Sequence, residues 1–263
     1  MSRRSILVVA TVFAAITSLA HADEWKKAFS TTGRPKIRIN TNDASIEVRA
    51  TDRKDTEIRI TTKGFDIPGK LRITDNQVGD TINLEVHRPS HGIHITWSDE
   101  STRIEVEVPR AANLDLHSGD GHISVDDVKG DLRLDTGDGH INANRVDGKL
   151  HARTGDGHMT IDGRFDDLDL RTSDGRIDAT VSQGSVMSNA WSVQTGDGQV
   201  DLRIPETMNA DINLHTGDGR LVVDLPLTVS GEMGHSDFHG KLNAGGAELR
   251  VRTGDGSIRI GKV

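Results

Sequence analysis

The chain of 263 residues has no cysteine and no tyrosine. Without cysteine there is no disulfide framework, thiolate metal site, thiol nucleophile or lipid-modified cysteine. Aromatics make up 3% of the residues, too few for the stacking platforms that hold single-stranded nucleic acid or sugar. A basic excess is also missing. The formal net charge is −8, so no electrostatic footprint for nucleic acid exists. Sustained helical periodicity is absent after Ala22, and so is any second long apolar run. What is plentiful is glycine, with 28 residues against 6 prolines. Together with a modest hydrophobic content, this suits a thin β architecture punctuated by turns.

Met1–Ala22 reads as a secretory signal peptide. Arg3 and Arg4 open it, an apolar run follows from Ile6 to Leu19, and Ala20-His21-Ala22 is a small-residue cleavage site. The run is short for a membrane span. Its removal takes away two arginines and no acids, so the formal charge passes from −8 to −10. The expected location lies across the inner membrane, in the periplasm or at the cell surface, with no integral membrane segment after cleavage.

One tetrapeptide dominates the second half of the chain. Ser118-Gly119-Asp120-Gly121 returns with Thr in the first place at 136, 154, 172, 195, 216 and 253, the copy at 172 having Ser173 for the first glycine. The steps between its aspartates are 18, 18, 18, 23, 21 and 37. The steps of 23 and 21 are read as 18 plus insertions near Gln183–Asn189 and Pro205–Asn209. The last step is read as 19 and 18, with His235-Ser236-Asp237-Phe238 as a decayed copy. A fixed period marks a repeat architecture. Apolar and polar residues alternate on both sides of each turn, as in Leu132-Arg133-Leu134 and Ile141-Asn142-Ala143, so each unit holds two half-buried strands. The glycines are expected to supply positive φ at the turn. An antiparallel meander would fit the turns. A parallel solenoid fits the constant register as well, since it alone requires position n to lie over n + 18. Leu114, Leu132, Leu150 and Leu168 form one predicted file, and Ile123, Ile141, Met159 and Ile177 another.

The predicted fold is therefore all-β: a right-handed parallel β-helix, or β-solenoid, of about 18 residues per coil. It spans residues 111–263, behind the leader 1–22 and an N-terminal β region, 23–110, of irregular early coils or a cap. Strands are expected in that region at Lys36–Asn40, Ser45–Ala50, Glu57–Thr61, Lys70–Thr74, Thr81–Val86, Ile93–Thr96 and Arg103–Val108. Thr41-Asn42-Asp43-Ala44 looks like one decayed turn.

The leader, the lead-in Ile104–Pro109 and the serial Leu-x-Leu-x-Thr-Gly-Asp-Gly-x-Ile units resemble the bacterial putative-adhesin family of secreted β-strand-repeat proteins, a domain of unknown function. They are also similar to the head domain of putative auto-transporter adhesins. The resemblance implies a parallel β-helical fold and a place in the cell envelope, and it brings no catalytic residues. No outer-membrane barrel or sorting segment is visible in the sequence.

Two files carry candidate chemistry. Asp120, Asp138 and Asp156 would stack along the turn edge, and like charges there call either for turn amides or for a bound Ca²⁺. His122, His140 and His158 follow the turn glycine in the same coils. With the aspartates they form a candidate site for a divalent metal, or else an outward polar file with some pH sensitivity. Met187 and Trp191 lie at the insertion and are the candidates for ligand or partner contact, the alternative being core packing. Acids such as Asp162, Asp166, Asp167 and Asp169, on an expected loop, are candidates for catalysis, the alternative being plain solvation.

The expected function is a non-catalytic envelope scaffold or adhesin, without a cofactor, that binds a polysaccharide or protein through the repeat faces. A Ca²⁺- or divalent-metal-binding module is the alternative, and a polysaccharide-active enzyme the third. The sequence names no ligand and fixes no oligomeric state.

Overall fold

The computed structural model describes residues 22–89, 100–229, 234 and 236–263. The expected leader apart from Ala22, the expected strand Ile93–Thr96 and His235 lie outside the described residues. In chain order the elements are β1 (Ala22–Phe29), β2 (Lys36–Thr41), β3 (Ser45–Thr51), β4 (Thr56–Lys63), a one-turn helix α1 (Ile67–Lys70), β5 (Arg72–Val78), β6 (Thr81–His87) and β7 (Ser101–Pro109). Next come β8 (Asn113–Ser118), β9 (Ile123–Asp126), β10 (Lys129–Thr136), β11 (Ile141–Thr154), β12 (Met159–Thr172), β13 (Ile177–Val181), β14 (Trp191–Gln194) and β15 (Val200–Ile204). The chain closes with β16 (Ala210–Thr216), β17 (Leu221–Asp224), β18 (Leu227–Val229), β19 (Asp237–Leu242), β20 (Glu248–Thr253) and β21 (Ile258–Lys262).

From β8 to β15 the chain winds as a parallel solenoid with two walls. Leu114 pairs with Leu132, Leu132 with Leu150 and Leu150 with Leu168. On the second wall Ile123, Ile141, Met159 and Ile177 align in the same way. These parallel registers exclude the meander of hairpins. Period-two alternation explains the burial. Leu150, Leu168, Ile141 and Met159 are 0% exposed, whereas the residues between them face outward. The two insertions are loops at 182–190 and 205–209.

The two turn edges differ. Opposite the Thr-Gly-Asp-Gly edge, β11 and β12 bend from one wall to the other, with register shifts at Ala143/Val146 and Gly148/Lys149. Asp127 and Arg145 there take φ of 60° and 51°, and Gly148 takes 135°. The acids Asp162, Asp166, Asp167 and Asp169 belong to the bent strand β12, not to a loop.

At both ends chain order and stacking order part company. β2 and β3 lie between β8 and β9 on one side and β6 and β7 on the other. The pairing therefore runs across the expected boundary at residue 110. Thr41–Ala44 stacks beneath Ser118–Gly121, with Asp120 N–H donating to Asn42 O at 3.0 Å. At the far end β20 and β21 lie between β14 and β15 and β16 and β17. Leu249 pairs with both Trp191 and Ile212, and Ile258 with both Val200 and Leu221. The 37-residue step is thus not 19 plus 18. Asp237 opens β19, which runs antiparallel to β16, because the coil that completes the step has slipped inward. Antiparallel strands extend each end: β5 on β6, β4 and then β1 on β7, and β19 and then β18 on β16.

Candidate functional site: the ladders of the turn edge

None of the repeat glycines has φ in the left-handed region, so the expected reason for them is corrected. Close approach between coils demands them. A Cβ on Gly157 would meet Gly139 O at 1.9 Å, and one on Gly175 would meet Gly157 O at 1.8 Å. From Gly137 onward the residue in the first glycine place donates its N–H to its counterpart in the neighbouring coil, Ser173 doing so in the copy at 172. Gly137 does so to Gly119 O at 2.5 Å, and Gly254 to Gly196 O at 2.5 Å.

The threonine has a matching role, which the sequence reading missed. It is buried, 3% exposed at Thr136 and 6% at Thr195. Thr195 Oγ1 donates to Gly175 O at 2.9 Å and accepts the Gly198 N–H at 3.1 Å. Thr253 repeats both bonds with Gly198 O and Gly256 N–H, at 2.8 and 3.1 Å. At Ser118, Thr172, Thr195, Thr216 and Thr253 the hydroxyl thus closes its own turn and ties it to the neighbouring coil, while Thr136 and Thr154 make the inter-coil bonds. The signal was present in the sequence: the first place of the motif is never anything but Ser or Thr.

Outside this ladder stand the aspartates, all exposed at 120, 138 and 156. Asp120 and Asp138 each set Oδ1 over the first glycine of the following turn. The histidines form a true stack. The rings of His122 and His140 lie 4.9 Å apart and 3° from parallel, and those of His140 and His158 lie 5.2 Å apart and 2° from parallel. The backbone N–H groups of His140, His158 and Arg176 donate to Nδ1 of His122, His140 and His158, at 2.9, 3.0 and 3.1 Å. An accepting Nδ1 assigns each ring as neutral with its proton on Nε2. Burial, and then the neighbouring rings His122 and His158, lower the pKa of His140.

These six residues are the candidate metal site, the alternative being an outward polar file. Among the described residues no group of three or more His, Cys, Asp or Glu side chains is placed to hold a metal ion. The reason is geometric. Nδ1 is spent on the next coil's amide, and parallel rings spread their nitrogens along the ladder instead of converging on a point. Nor does Trp191 offer a ring to a partner. It is 0% exposed, in register with Leu249, and its indole N–H has no hydrogen-bond partner. Met187 packs against the core from the 182–190 loop. A broken period marked a place where the wall needed filling.

The outward rows are laced with ion pairs between coils, such as Lys129 with Asp147 at 2.9 Å and Arg164 with Asp147 at 2.7 Å. Near the N-terminal end, Glu47, Arg49, Glu57, Arg59, Glu105 and Glu107 line a cavity of about 250 Å³. A hydrogen bond from Lys26 chiefly holds Glu57 below the usual carboxylate range. Along the turn edge of the other wall one file reads Arg153, Arg171, Gln194, Arg252. The three guanidinium side chains are exposed, and Arg171 and Arg153 share Asp169, at 2.9 and 3.9 Å. The sequence spacing did not reveal this file, because Arg252 reaches Gln194 only through the inserted coil.

No helix among the described residues is long and apolar enough to cross a membrane. No curated protein matches the chain in sequence. Among solved structures, a putative adhesin from Bacteroides fragilis is 12% identical, with 90% of this chain and 96% of that chain covered and a TM-score of 0.53. A putative cell adhesion protein from Clostridium sporogenes is 15% identical, with 92% and 100% covered and a TM-score of 0.45. The first of these likenesses supports the fold. Residues 100–195, the stretch from β7 to β14, match the family described as Toastrack DUF4097.

Proposed function

We propose that the protein is a non-catalytic scaffold or adhesin of the cell envelope, that it binds a polymer or protein through its repeat faces, and that the best-suited ligand is an anionic polymer. On this reading the solenoid is right-handed, as parallel crossovers nearly always are, with about 18 residues per coil and strands that cap the N-terminal end. The observation that carries the proposal is the file Arg153, Arg171, Gln194, Arg252, in which polar groups recur once per coil, at roughly 4.8 Å. A ligand with regularly spaced acidic groups meets such a file at several weak points together, and avidity follows from the repetition. The shared fold with a protein described as an adhesin supports the same reading. Export follows from the expected leader.

The test is co-sedimentation with peptidoglycan, acidic polysaccharide and envelope fractions. Saturable, salt-sensitive binding is expected, reduced about tenfold by Arg171→Glu with Arg252→Glu, since each lost contact of this kind is worth about 0.7 kcal/mol. Chelator leaves the melting temperature unchanged. Absence of binding to every fraction, or release of reducing or unsaturated sugar, overturns the proposal.

A further inference from the structure

The terminal coil, β20 and β21, is flanked by strands on both sides and joined to β19 by residues 243–247. It fills its slot completely. Leu249, Val251, Ile258 and Ile260 are 0% exposed. Thr253 Oγ1 donates to Gly198 O on one side, and Thr216 Oγ1 donates to Gly256 O at 2.8 Å on the other.

We infer that the cleft between β14 and β15 and β16 and β17 is a strand-pair acceptor, and that the partner it fits is the terminal coil of a second copy of this chain. Three observations lead there. First, the slot is held by strand-edge and ladder bonds of fixed register, with side-chain pairs such as Asn213 with Glu248 and Lys262 with Glu206 beside them, and another copy's coil reproduces all of these.

Second, the slot can close without its occupant. β16 and β17 carry the same motif as β20 and β21. Ile212 corresponds to Leu249, Thr216 to Thr253, Gly219 to Gly256 and Leu221 to Ile258. With the terminal coil out, these strands match β14 and β15 in the register that β20 and β21 now hold. The 205–209 loop would then span one inter-strand spacing instead of two, roughly 5 Å instead of 10 Å.

Third, the connection has the form of a hinge. Asn243, Gly245 and Gly246 have φ of 53°, 72° and 146°. Asn243 Nδ2 fastens it by donating to Glu206 O at 2.7 Å and Met208 O at 2.6 Å. The short tether favours the coil of the same chain through its effective concentration. Exchange therefore grows with protein concentration and with strain in the hinge. This inference does not rest on the proposed ligand.

The chain contains no cysteine, which makes the test direct. Ser192 on the slot pairs with Arg250 on the coil, and the usual inter-strand spacing of about 4.8 Å lies within the Cα range of a disulfide. One population carries Ser192→Cys and the other Arg250→Cys. They are mixed at high concentration, warmed mildly, cooled and oxidised. A disulfide-linked dimer is expected, at least about tenfold above a control that pairs Arg250→Cys with Asp115→Cys, a residue in a distant coil. Deleting Ala244–Gly246 is expected to convert most of the protein to dimer by light scattering. Should that deletion fail to fold, the full-length mixture decides alone. Cross-linking no greater than in the control, at every concentration, overturns the inference.

Discussion

The middle of the molecule and its two ends are built from the same unit and differ in one respect. Between β8 and β15, coils stack in the order in which they are synthesised. At the ends, β2 with β3 and β20 with β21 each lie one place further in than their position in the chain implies. The repeat thus encodes how a coil fits its neighbour and not which coil that neighbour is. A two-sided Thr-Gly interface is interchangeable by construction. The ends use this freedom to place a non-sequential coil inside and finish with antiparallel strands, which leave fewer bare parallel edges.

The contrast can be broken most sharply with alanine at two equivalent glycines. A Cβ on Gly157 meets Gly139 O at 1.9 Å, and one on Gly219 meets Gly256 O at 1.8 Å. The local clash is the same, but Gly157 has parallel coils on both sides whereas Gly219 sits in the outermost coil. In a quasi-one-dimensional repeat, stability is a sum over neighbouring interfaces. Gly157→Ala is expected to cost about 3 kcal/mol and Gly219→Ala about 1 kcal/mol in denaturant unfolding. Equal losses would remove the distinction between middle and end.

Next in size is the hydroxyl ladder. Thr195→Val keeps the shape but strips partners from the Gly198 N–H and the Gly175 carbonyl. The expected loss is about 2 kcal/mol, and Thr216→Val at the outer coil should lose less.

The smallest effect concerns the histidine stack, which belongs to the middle alone. The folded pKa of His140 is lowered, so the unfolded chain binds its proton more readily. The stability this contributes is fully present above the ordinary value of 6.5 and is lost as pH falls through the lower folded value. Because the side chain is exposed, this contribution is the smallest of the three. Between pH 7 and 5 the wild type is expected to lose more stability than His140→Gln. A parallel decline in both proteins would show that the stack does not sense protons. ¹⁵N spectra at neutral pH check the tautomer directly, with Nδ1 unprotonated in all three rings.

The strands and their burial were legible because alternation has only one structural meaning on a half-buried wall. The files Leu114 to Leu168 and Ile123 to Ile177 follow from spacing alone. Other features were less legible. The glycine motif was readable as a turn, but the reason for it lies between coils, and spacing shows no inter-coil distance. The Asp and His files were placed correctly in register, yet their failure to converge depends on ring orientation and on Nδ1 being occupied. Trp191 drew notice as a rare aromatic in a broken period, and only its complete burial shows it to be packing.

Sequence by itself determined the unit: two short strands, a Thr-Gly-Asp-Gly turn, an aliphatic interior and the period that puts Leu132 beside Leu150. The tertiary structure alone decided the sequence of layers, so that Arg252 comes to rest beside Gln194 and His215 does not. The physical reason is degeneracy. Every copy of the motif presents the same hydroxyl, the same glycine carbonyls and the same row of aliphatic side chains, so local chemistry scarcely ranks one neighbour above another. Loop reach and the covering of the ends settle the choice.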